Sequence, residues 1–150
     1  MKAFYSVIDT LKAALEAEPF INSVSFGDLD NIDLKKQGIF PLGHIMVTNA
    51  TIGERVVRFD LTFFVMDIVD FSKEEGDSFT GNDNEQDVLN TQLAVATRIV
   101  NKMQRGTLYQ DLYQVEGEPT AEPFTDRFEN ALAGWAVSVQ VTVKNDMTTA

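Results

Sequence analysis

Glu122-Pro-Phe-Thr-Asp-Arg-Phe-Glu-Asn-Ala-Leu-Ala-Gly-Trp-Ala-Val-Ser-Val-Gln-Val-Thr-Val-Lys-Asn-Asp146 is the stretch whose reading decides the fold. From Ala133 onward, every second residue is apolar: Trp135, Val137, Val139, Val141 and Val143. Between them stand Gly134, Ala136, Ser138, Gln140, Thr142 and Lys144, all small or polar. A period of two describes a strand with one dry face and one wetter face. Ahead of it, Glu122 to Gly134 reads as a charged corner. There the planar Arg127 guanidinium can hold Asp126, Glu129 or Glu122 in a bidentate contact, with Phe124 and Phe128 packed around it. Trp135 is then the first core anchor of the strand.

Such a strand needs a sheet and a covering layer, and the rest of the chain supplies both. Phe4, Val7, Ile8, Leu11, Ala14 and Leu15 recur at spacings of three and four, which predicts a helix over residues 3–18 that Pro19 ends. Ile21, Val24 and Phe26 suggest a short strand. Residues 27–43 read as a loop rich in Gly, Asp and Pro. Its Asp-rich part fails as a calcium loop: with Asp28 first, the fifth, sixth and twelfth positions are Ile32, Asp33 and Ile39. Turn chemistry accounts for these residues better.

A hairpin follows, with His44–Thr48 as one strand, Asn49–Gly53 as the turn and Glu54 to about Val69 as a long second strand. On that strand Val57, Phe59, Leu61, Phe63 and Val65 share one face. The opposite face carries Arg58, Asp60 and Thr62, then turns apolar at Phe64, Met66 and Ile68. Three apolar residues on an outward face require either a covering loop or a subunit contact, and the sequence reading prefers the contact.

Residues 70–83 form an acidic loop containing Asp70, Glu74, Glu75, Asp77 and Asp83. Next, a helix is predicted from about Asn84 to Arg105. Acidic residues in its first turn, Lys102 and Arg105 in its last, and Gly106 beyond suit the two ends. Leu108–Val115 reads as a linker or short strand, and Pro119 and Pro123 bracket an extended stretch.

Together these segments predict one α+β domain over residues 1–150, a two-layer sandwich. About four mostly antiparallel strands form its sheet, with two amphipathic helices on one face. With 44% apolar residues and 11 Phe, the chain has the composition of a folded protein.

The charge excludes some partners. Twelve basic residues stand against 23 acidic ones, a net −11, which argues against a grip on nucleic acid. Between Asp67 and Asp87, eight acidic residues face a single Lys73. No run reaches the length of a membrane span, no secretory h-region opens the chain, and synthesis in the cytosol is the expectation.

Catalytic signatures are missing. The chain has no cysteine, and its one histidine, His44, has no second histidine to share a metal with. The serines lie outside any Gly-x-Ser-x-Gly context, and no Gly-x-Gly-x-x-Gly or Walker-type loop occurs. Paired carboxylates remain possible, but abundance alone does not build an acid/base pair. The expectation is no enzyme, no metal and no cofactor.

The element order, the chain size and the run Glu122-Pro-Phe-Thr-Asp-Arg-Phe-Glu-Asn-Ala-Leu-Ala-Gly-Trp135 before an alternating strand resemble small bacteriophage virion proteins. The likeness is to tail-terminator and neck (head-to-tail joining) proteins. The helix start Val88-Leu89-Asn-Thr-Gln-Leu93 and the segment Arg105-Gly106-Thr-Leu-Tyr109 fit the same pattern. The resemblance implies a structural protein that closes into a ring, usually a hexamer, on the tail tube. That ring would end tube growth, meet the head-side connector and let DNA pass without binding it specifically. It implies a virion location after assembly in the bacterial cytoplasm. On this reading Phe64, Met66 and Ile68 supply one subunit contact, and the acidic loop lines the channel or reaches a partner. Two other readings stay open: a small acidic ligand-binding or regulatory domain, and a carboxylate-dependent hydrolase.

Overall fold

The computed structural model describes residues 2–27, 39–68, 85–105, 113–125 and 132–145. The acidic loop and the residues from Asp126 to Ala131 lie outside them.

Helix α1 spans Lys2–Glu16 and leads through Pro19 into β1, Ser23–Phe26. The chain returns through a cis Phe40–Pro41 peptide into β2, Leu42–Ile52, and β3, Val56–Ile68. Helix α2, Glu85–Arg105, precedes β4, Tyr113–Thr125, and β5, Leu132–Lys144. The sheet order is β1-β2-β3-β5-β4, with β1 parallel to β2 and every other neighbour antiparallel. Among the described residues the fold is α+β, with five strands in a mixed sheet and two helices.

The fifth strand is β4. Sequence reading divides it between a linker and a Pro-bracketed stretch, because Pro119, Pro123 and Gly117 break the strand signal. In the sheet β4 is an edge strand, where a residue without an N–H is tolerated. Its register shifts between Glu116 and Thr120, and Gly117 takes a φ of 67° there, a conformation that favours glycine. The hairpin strand β2 also runs longer than expected, to Ile52, so the turn falls on Gly53–Arg55.

Helix-facing residues form the main core. Val7, Leu11 and Leu15 of α1 and Val95, Ile99 and Met103 of α2 lie over Phe59, Leu61, Phe63 and Val65 of β3. Val137, Val139, Val141 and Val143 of β5 complete it, as the period-two pattern requires. Both helices therefore cover the same sheet face. No described helix is long and apolar enough to cross a membrane.

Candidate functional site: the open sheet face and the helix flanks

The sheet face turned away from the helices is divided into two halves. In its apolar half, Phe40, Leu42, Phe64, Met66, Phe124 and Leu132 form a second small core. Phe64 and Phe124 meet edge to face at 6.1 Å, a favoured aromatic arrangement. Phe64 is 5% exposed and Met66 0% within the single chain. Coverage inside the monomer accounts for these two residues, and the expected subunit contact through them is corrected. The period-two pattern identified their face correctly but could not show that Phe40 and Phe124 fold over it. Ile68 is half-buried against the same cluster.

His44 lies in this half and is fully buried. Its Nε2 donates to the Gly27 carbonyl at 2.5 Å, which leaves Nδ1 to accept from the Ser25 hydroxyl at 2.7 Å. The ring ties β1 to β2. Buried and bonded through both nitrogens, it serves the structure.

The polar half is an open trough of about 400 Å³. Thr62 and Ser138 face each other across β3 and β5, as do Asp60 and Gln140, and the Glu116–Thr120 bulge walls one side. Arg58 Nη1 lies 3.3 Å from Glu116 Oε2. The Glu116 carboxyl sits below its ordinary pKa, first through the Thr142 hydroxyl and then through Arg58. Thr142 Oγ1 is buried without a hydrogen-bond partner among the described residues, and it acts on Glu116 as a nearby dipole. Asp60 Oδ1 is likewise buried without a partner among those residues. Among the described residues, no three His, Asp or Glu side chains converge as metal ligands.

The other residues singled out in the sequence fall as follows. Glu122 is exposed on β4 opposite Ala136. Trp135 packs on the main core, and its indole N–H donates to the Leu89 carbonyl of α2 at 2.8 Å. It is a core anchor, as its position in the strand suggested. Asp126, Arg127, Phe128 and Glu129 lie outside the described residues, as do Asp70, Glu74, Glu75, Asp77 and Asp83. The ionic corner and the acidic lining are thus expectations drawn from the sequence.

Sequence reasoning missed one charged cluster. Glu18, 4% exposed, receives Arg98 through Nε at 3.1 Å and Nη2 at 2.8 Å, while Lys102 Nζ stands 3.8 Å away. The hydrogen bond to Glu18 raises the Arg98 pKa further. Arg98 and Lys102 are four residues apart and so share a helix face, which was the available signal. Nothing in the sequence pairs that face with Glu18, eighty residues earlier.

No family model and no curated protein matches the chain. The functional reading therefore rests on the residues themselves.

Proposed function

We propose that the protein is a non-enzymatic structural component of a bacteriophage virion. It forms a homo-oligomeric ring, a hexamer by resemblance, at the tail or neck, with a tail-terminator-like fold. The ring ends the tail tube, meets the head-side connector, and passes DNA through a channel without binding it specifically. The observation that carries this reading is the presence of unlike outer surfaces on one small chain. A β2–β3 hairpin tip presents Ile52, 80% exposed, and Val56, 48% exposed, while the far edge of the sheet is the acidic strand β4. Closed rings need two different patches per subunit. The run Glu122–Trp135 and the element order support the same family resemblance. A net charge of −11 suits a channel that repels phosphate and lets DNA slide.

The test is the mass in solution, by light scattering coupled to size exclusion. About six chains per particle supports a terminator ring, and twelve points to a connector-like layer. Monomers alone, in scattering and in negative-stain images across concentration and salt, would sink the proposal.

The trough beside Asp60 favours a second reading, a small acidic ligand-binding domain. Ligand pockets are usually concave and mostly apolar with a few polar groups, whereas this one is open and polar. Thermal shift against metabolite and metal panels separates the two, since a ring protein should respond to none.

A further inference from the structure

We infer that a second copy of this chain docks its acidic edge strand β4 onto the basic flank of α2, making a head-to-tail contact. This rests on the ring reading above and names the surfaces that would close the ring.

The basic flank is unusual in a chain with a net charge of −11. Arg98 and Lys102 have side chains 43% and 38% exposed, while the Glu18 carboxylate between them is 3% exposed. Among the described residues, Glu18 is the one carboxylate paired with these two cations, which leaves one positive charge over on this flank. Phe20, two residues beyond Glu18, is 51% exposed and adds apolar area close by. An exposed aromatic near Arg and Lys suits the centre of a protein contact.

The complementary surface lies elsewhere on the same molecule. Strand β4, Tyr-Gln-Val-Glu-Gly-Glu-Pro-Thr-Ala-Glu-Pro-Phe-Thr, contains no basic residue. Glu116, Glu118 and Glu122 are all exposed. Arg58 of β3 answers Glu116, but Glu118 and Glu122 have no cationic partner among the described residues.

Helix geometry keeps the two surfaces from meeting within one chain. Leu93, Thr97 and Val100 of α2 flank β4 at Pro119 and Ala121. At about 100° per residue, Arg98 and Lys102 fall on the other side of the helix, where they reach the end of α1. The acidic strand and the basic flank thus lie on opposite sides of α2. Two complementary patches on opposite sides of one subunit make a heterologous contact, which propagates until the rotation closes a ring. Exposed charges facing across a contact steer association and are weakened by salt.

The experiment is size exclusion with light scattering on the full chain across a concentration series, at low and high salt. The chains compared are the wild type, K102E, E118K/E122K and the three changes combined. The wild type should self-associate more tightly at low salt. K102E and E118K/E122K should each raise the apparent dissociation constant about tenfold or more. The combined chain, with both charges exchanged, should recover most of the loss. Both glutamates are exposed strand positions, so E118K/E122K tests the contact without disturbing the Glu18 cluster, and a thermal melt checks that each variant is folded.

An oligomeric wild type that neither reversal weakens would overturn this contact and leave the ring reading standing. A wild type that stays monomeric would overturn both. A duplex DNA fragment retarded by the wild type but not by K102E would assign the basic flank to phosphate and overturn the docking of β4.

Discussion

Gly134 shows how tightly the middle of the sheet is built. It sits on β5 opposite Met66 of β3 and Phe124 of β4. A Cβ added there would fall on the Val65 carbonyl oxygen and within 2.8 Å of the Met66 Cα, both backbone atoms that cannot rotate away. Gly134→Ala should therefore cost about 2–4 kcal/mol, read from the denaturant midpoint. At Glu18 the size of the loss depends on which partner is removed. Arg98→Ala leaves a buried carboxylate with one distant ammonium, and we expect a loss of about 1–2 kcal/mol, limited because Arg98 is half exposed. Glu18→Gln removes the buried charge itself and should cost less. A larger loss for Glu18→Gln would mean the cluster is held by something other than its charge. Asp67 gives the pH dependence. Burial raises its pKa above the ordinary 3.8, opposed in part by the Ile68 N–H at 2.8 Å. A carboxyl raised in the folded state favours folding most below pH 3.8 and loses that contribution as pH rises through its folded value. Asp67→Asn should then stabilise the protein near pH 7, with the gain fading in acid. Urea titrations at the two pH values check both the gain and its loss.

The long strands account for most of what the sequence revealed. The alternations on β3 and β5 placed Val57–Val65 and Val137–Val143 under the helices, where they are buried. Both helices occur where their apolar spacings and end signals predicted. Strand β4 was harder to read, because two prolines and a glycine erase the strand pattern and only an edge position makes them acceptable. The residues from Asp126 to Ala131 join β4 to β5, which are antiparallel neighbours. On the sequence reading Arg127 is the ionic centre of that connection. Arg127→Ala should impair folding or assembly, visible as lost soluble yield or lower particle mass. A soluble variant that assembles normally would show the corner reading to be mistaken.

For the whole molecule, charge and layer order matter more than any single pocket. Among the described residues, one sheet face is closed by helices, half of the other is closed by Phe40, Phe64, Met66 and Phe124, and the outer surface mixes charged and polar groups with exposed apolar side chains such as Phe20, Ile52 and Val56. Sequence by itself determined the α+β class, the two helices, the dry face of each long strand and the acidic balance. These follow from local periodicity and composition, which need no knowledge of distant neighbours. Only the tertiary structure decided that Phe64 and Met66 are covered within the monomer, that His44 ties β1 to β2, and that Glu18 meets Arg98. Each of these depends on segments far apart in the chain lying side by side. Periodicity shows which way a side chain points, but not what stands opposite it.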